Sequence, residues 1–89
     1  MYRVDLTRRA SRELEGVPSN VFDRTDPVIL GLAQEPRPHG VTKLRGPIHR
    51  LRVGQWRLIY AVFDRDQLVL VGKIARRGED TYDDLAELF

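Results

Sequence analysis

The 89-residue chain has no cysteine, so neither a disulfide framework nor a thiolate zinc site can hold it together. Packing alone or a bound partner must stabilise so small a domain, and the absence suits a reducing cytoplasm. Long apolar runs are missing too. No stretch approaches the ~18 residues that a membrane-spanning helix needs, and Met1-Tyr2-Arg3-Val4-Asp5-Leu6 carries charges where a signal peptide is apolar. The chain therefore reads as one domain over residues 1–89, cytoplasmic and without a membrane partner. Lysine is the other scarcity: Lys43 and Lys73 are the two lysines among fifteen cations, and the remaining thirteen are arginine.

Charge is unevenly placed. Residues 79–89 hold Glu79, Asp80, Asp83, Asp84 and Glu87 with no cation, which leaves fifteen cations against eight carboxylates, a balance of +7, in residues 1–78. Arginine binds phosphate through a planar fork, although a GC-rich genome enriches it as well. This composition admits a nucleic-acid partner without establishing one.

The periodicity predicts a short strand over 2–6, then a helix over 8–16 capped by Thr7 with Ala10 and Leu14 on its apolar stripe. Val17-Pro18 breaks it. Val21, Phe22, Thr25, Val28, Ile29, Leu32 and Ala33 then recur on one side, predicting a second helix over 19–34. Pro27 falls opposite that stripe, so one kinked helix is preferred, with Asp26 capping a new helix as the alternative. The segment 35–40, with Pro36, Pro38 and Gly40, is a loop. Strands are expected over 41–45, 48–53, 56–64 and 67–75, joined at Gly54-Gln55 and Arg65-Asp66, with 56–64 central because it is apolar on both parities. A last short helix over 82–89 follows. The fold class is α+β: two N-terminal helices packed on a small, mainly antiparallel twisted sheet, in the order β-α-α-β-β-β(-β)-α.

Along the strand 48–53 arginine alternates with apolar residues, so Leu51 and Val53 enter the core while Arg50 and Arg52 stand together on the other side. Arg57 projects from an otherwise apolar strand, where a charge needs a partner or a ligand. Two guanidiniums side by side suit a phosphate. Spacing alone does not rank Arg76 against Arg77. His49 titrates in the range useful to a general base, although a surface histidine is the commoner reading of such a position. Trp56 and Tyr60 read as core, and Tyr82 either anchors the last helix or stacks on a ligand.

Lys43-Leu44-Arg45-Gly46, the strand Arg50-Leu51-Arg52-Val53-Gly54, Trp56-Arg57-Leu58-Ile59-Tyr60, and Ala75-Arg76-Arg77 followed by Tyr82 resemble the RelE branch of the RelE/ParE toxin superfamily over nearly the whole chain. The resemblance implies the toxin of a type II toxin–antitoxin pair: a metal-independent endoribonuclease that needs no cofactor and cuts mRNA in the ribosomal A site. It implies a cognate antitoxin that forms a hetero-oligomer with the toxin, and operator DNA contacted through that antitoxin. It assigns catalysis to Arg50, Arg52, Arg57, Arg76 and Tyr82; Lys43, Arg45, Arg50, Arg52 and Arg77 are the RNA-binding candidates, and His49 is a possible general base beside Tyr82, Glu79 and Asp80. The best-known form of the family has lysines where this chain has Arg50 and Arg52, and a guanidinium is a poor base. A ParE-like inhibitor of DNA gyrase and an inactive antitoxin-binding member share the fold and are the alternatives.

Overall fold

The computed structural model describes residues 1–78 and 85–89. Strand β1 (Arg3–Leu6) leads into helices α1 (Arg8–Gly16) and α2 (Ser19–Gly31), followed by β2 (Thr42–Arg45), β3 (Ile48–Val53), β4 (Trp56–Phe63) and β5 (Leu68–Arg76), with a 3₁₀ turn at Leu85–Leu88. The five strands form one sheet in the order β1-β5-β4-β3-β2, parallel between β1 and β5 and antiparallel elsewhere. The expected α+β architecture and the central place of β4 are thus both found.

Local chemistry accounts for the helices. The Thr7 side chain accepts the Ala10 N–H at 3.1 Å and starts α1. Helix α2 runs unbroken through Pro27, which is exposed, so Asp26 does not cap a separate helix. It ends earlier than expected. From Leu32 to Gln34 the N–H groups bond three residues back, to Ile29, Leu30 and Gly31, which tightens the chain into a turn before the proline loop.

Both helices cover one face of the sheet, where Ala10, Ile29 and Leu32 pack on Leu51, Leu58, Tyr60, Val62, Val69, Val71 and Ile74. The Tyr60 hydroxyl donates to the Pro36 carbonyl at 2.8 Å and fastens the loop to the sheet; burial pushes its pKa up to about 12, so it stays protonated. At the end of β4 Arg37 makes a two-point bond to Asp64 (3.1 and 2.8 Å) and the Tyr2 hydroxyl adds a third at 2.6 Å. The connection between β4 and β5 spans four residues, Asp64 to Gln67, rather than two, because Gln67 takes a positive φ of 53° and Phe63 pairs with Leu68.

One irregularity decides the placement of everything after it. Tyr60 pairs with Val71 but Ile59 pairs with Lys73, so Gly72 is an extra, unpaired residue in β5. Before it Val69 and Val71 face the helices; after it Ile74 does. Beyond the end of β1 the Ile74 N–H finds the Glu13 carboxylate at 2.9 Å instead of a strand partner, and Lys73 Nζ lies 3.7 Å from the same carboxylate.

Gly72 also admits the C-terminal turn. Leu85, Leu88 and Phe89 pack with Ile48 and Ile59 on the face opposite the helices. A Cβ on Gly72 would lie 2.6 Å from the Phe89 ring and 2.8 Å from the Leu88 carbonyl oxygen. Gly72→Ala is therefore expected to destabilise the fold by about 1 to 3 kcal/mol, read as a fall in the thermal midpoint of roughly 4 to 8 °C per kcal/mol. Adding Phe89→Ala should restore only part of the loss, because the carbonyl remains in the way; an unchanged midpoint for the single variant would contradict this packing.

Candidate functional site

Strand alternation divides β3 and β4 between two environments. Leu51, Val53, Trp56, Leu58 and Tyr60 belong to the helix-covered core, while Ile48 and Ile59 belong to the small cluster on the other face. Arg50 and Arg52 alternate with the former set in β3, and Arg57 does so in β4, so all three arise on the face away from the helices. Arg52 and Arg57 pair directly across the two strands, and Arg50 pairs with Ile59.

The hairpin brings the first two close. Gly54-Gln55 is a two-residue connection with positive φ at its first residue, 61° at Gly54, the pattern of a type II′ turn. Such a turn makes Val53 and Trp56 the hydrogen-bonded pair, so Arg52 and Arg57 are the next pair, whose side chains approach most nearly. Like charges directly opposed on one face repel, and an anion between them removes the penalty. Arg50 is oriented by a 3.3 Å bond to the Thr42 hydroxyl.

The bulge at Gly72 sorts the late arginines. Arg76 pairs with Trp56 and lines a hollow with Arg24 of α2, so it stands on the helix side of the sheet. The Arg77 N–H bonds the Gln55 carbonyl at 2.7 Å, extending the ladder by one residue, and alternation then puts Arg77 over the face of Ala75 and Arg57. The structure therefore brings Arg50, Arg52, Arg57 and Arg77 to one side and leaves Arg76 on the other, at the same end of the sheet. No sequence signal other than Gly72 itself points to this reversal. Tyr82, with Glu79 and Asp80, lies outside the described residues.

Lys43 pairs with His49 and so shares its side of the sheet, away from Arg50. Arg45 is exposed at the β2–β3 turn, next to an irregularity in the pairing. His49 itself is not with the arginines. It is 3% exposed, stacks on Tyr60 with ring centroids 5.7 Å apart, and holds its Nδ1 2.8 Å from the Pro47 carbonyl. A carbonyl only accepts, so Nδ1 carries the proton. The expected surface position is corrected by parity: His49 alternates with Arg50 and belongs to the core side, where it cannot reach a phosphate on the arginine face.

Burial pushes the His49 pKa down from 6.5, and the nearby Arg37 and Lys43 act in the same direction. Because the unfolded chain takes up the proton first, the stability this group contributes is complete above pH 6.5 and declines as pH falls below it toward the depressed folded value. Asp64, held down to about 2 by Arg37 and then Tyr2, adds a separate loss from 3.8 downward. Thermal midpoints measured from pH 8 to pH 3 should show both declines, with the upper one absent in His49→Phe; a midpoint flat between pH 7 and the Asp64 range would contradict the buried, neutral imidazole.

No family model matches the chain. It is 26% identical over 81 residues to "Putative toxin RelE1" of Methanocaldococcus jannaschii, covering 85% of this chain and 90% of that protein. Among solved structures it is similar to the archaeal RelE–RelB complex from Pyrococcus horikoshii, with a TM-score of 0.80 and 29% identity over 89% of this chain and 98% of the other. The intact E. coli RelBE toxin–antitoxin complex gives a TM-score of 0.73 and 27% identity over 90% and 100%. With the strand order, the two covering helices and the arginine-bearing β3–β4 hairpin already in place, these likenesses in sequence and fold support the RelE-like toxin superfamily for this chain.

Proposed function

We propose that the chain is the toxin of a type II toxin–antitoxin system, an endoribonuclease that cuts mRNA at the ribosomal A site in the cytoplasm without a metal or other cofactor. The observation that carries this reading is the cross-strand pair Arg52–Arg57 with Arg50 two residues along the same face. Two opposed guanidiniums offer paired donors to the two non-bridging oxygens of one phosphodiester, whose charge grows from −1 toward −2 as the 2′-oxygen attacks, and the third cation along the strand meets the next phosphate.

In the proposed reaction the ribose 2′-oxygen loses its proton and attacks the adjacent phosphorus in line, the bond to the 5′-oxygen breaks, and that oxygen is protonated as it leaves. The products end in a 2′,3′-cyclic phosphate and a 5′-hydroxyl. Arg57, on the central strand, donates to the non-bridging oxygens as charge builds on them, with Arg52 opposite it. Arg50 and Arg77 hold the flanking backbone. Arginine cannot take up the 2′-proton at neutral pH, and His49 faces the other side of the sheet, so the proton acceptor falls to the segment after Arg77, where Tyr82, Glu79 and Asp80 are the candidates. Tyr82 also serves to stack on a base or orient the phosphate.

The relatives solved as RelE–RelB and RelBE complexes support a cognate antitoxin as partner in a hetero-oligomer; the proposal adds operator DNA, reached through that antitoxin. No helix among the described residues is long and apolar enough to cross a membrane.

Expression of the chain should arrest growth and leave transcripts with 5′-hydroxyl ends. Arg57→Ala should cut the cleavage rate by roughly 10² to 10³, and Arg57→Lys should recover it only partly because the fork is lost. Continued arrest and cleavage with Arg57→Ala would refute the site, and filamentation with intact mRNA would replace the nuclease by a gyrase inhibitor.

A further inference from the structure

On the other side of the hairpin from Arg52 and Arg57 lies a hollow of about 300 Å³, at the small end of the range for ligand clefts. Trp56 and Gln55 form its sheet wall, Asn20 and Val21 its wall on α2, and Arg76 and Arg24 stand at its sides. Trp56, the chain's single tryptophan, is only part-buried against the core. Nothing in the proposed chemistry uses these groups.

Arg24 reaches the hairpin turn. A Cβ on Gly54 would come within 2.6 Å of Arg24 Nη2, so the glycine serves both the positive φ and the close approach of the guanidinium. The Arg24 head thus lies against the same turn whose strands carry Arg52 and Arg57 on the opposite face. Among the described residues no ion pair occupies Arg24 or Arg76. Two cations flanking an accessible indole are the chemistry of single-stranded nucleic-acid sites, where a base packs on the ring and its phosphate meets the guanidiniums. An acidic peptide would meet the charges but leave the indole without a planar partner.

We propose that this hollow binds a nucleotide of the RNA strand outside the cleavage point, its base against Trp56 and its phosphate on Arg24 and Arg76, with the strand bending around the Gly54-Gln55 tip from the Arg52–Arg57 face. The proposal rests on the endoribonuclease reading and extends it: the domain grips its substrate on both faces of the hairpin end. It gives Arg76 a binding role in place of the catalytic one that the resemblance implies, for the reason that the Gly72 bulge carries it to the helix side.

The test uses the full chain and a fluorescein-labelled single-stranded oligonucleotide of 2′-O-methyl ribonucleotides, which has no free 2′-hydroxyl and cannot be cut. Binding should quench Trp56 emission. The Arg24→Ala/Arg76→Ala double variant, shown to be folded by circular dichroism, should bind at least ~10-fold more weakly and with a salt slope shallower by about 0.7 to 1.4, the value for one to two lost phosphate contacts. Arg24→Lys/Arg76→Lys should restore most of that slope. The proposal is overturned if the Ala double variant binds with wild-type affinity and slope, if Trp56 emission is unmoved at saturation, or if an oligoglutamate peptide quenches it as well as the oligonucleotide does. Quenching that depends on Arg24 and Arg76, combined with no transcript cleavage by the wild type, would uphold the hollow while removing the nuclease reading. Cleavage that depends on Arg57 with no quenching would do the reverse.

Discussion

An unpaired glycine at the middle of β5 sets which side of the sheet each later residue of that strand faces, and the layout of the late arginines depends on it. Residues 69 and 71 point to the helices; without Gly72 the same parity would carry Lys73, Ala75 and Arg77 inward and leave Ile74 and Arg76 outside. The extra residue returns Ile74 to the core, where a branched apolar side chain fits, and exchanges the two arginines. The small residue is also required from the other direction, because Phe89 and the Leu88 carbonyl close over it. One position thus couples core packing, the seat of the C-terminal turn and the distribution of charge.

The two faces of the sheet then have different duties. The helix side holds most of the buried apolar residues and the bonds that tie loops to strands: Tyr60 to Pro36, Arg37 and Tyr2 to Asp64, Glu13 to Ile74. The other side has a smaller cluster around Ile48, Ile59 and Leu85, leaving the hairpin end to cations. Arg52 and Arg57 meet across one pair on that face, with Arg50 two residues along the same strand.

His49 and Arg50 show how sharply one residue of parity separates roles. Arg50 reaches Thr42 and the cationic face; His49, adjacent in sequence, is buried against Tyr60 with its proton committed to Pro47. Burial of the imidazole commits it to packing and holds its pKa below the ordinary 6.5. The same logic makes the hairpin tip a boundary rather than an end. Arg24 and Arg76 on one side, and Arg52 and Arg57 on the other, lie within reach of a strand passing around Gly54.

Much of this was legible in the residues themselves. Thr7 as a cap, the breaking Val17-Pro18, the two-residue Gly54-Gln55 turn and the double apolar parity of residues 56–63 all act through neighbours in sequence, and helix, hairpin and central strand follow from them. Arg50 and Arg52 likewise share one face by period-two alternation, which holds while pairing is regular, and the β3–β4 register adds Arg57 to them. Sequence did not reveal where alternation would fail. The bulge, marked in the sequence by Gly72 alone, arises from how β5 meets β4 and the C-terminal turn, so only the tertiary structure could place Arg77 on the face of Arg57 and Arg76 in the hollow with Arg24.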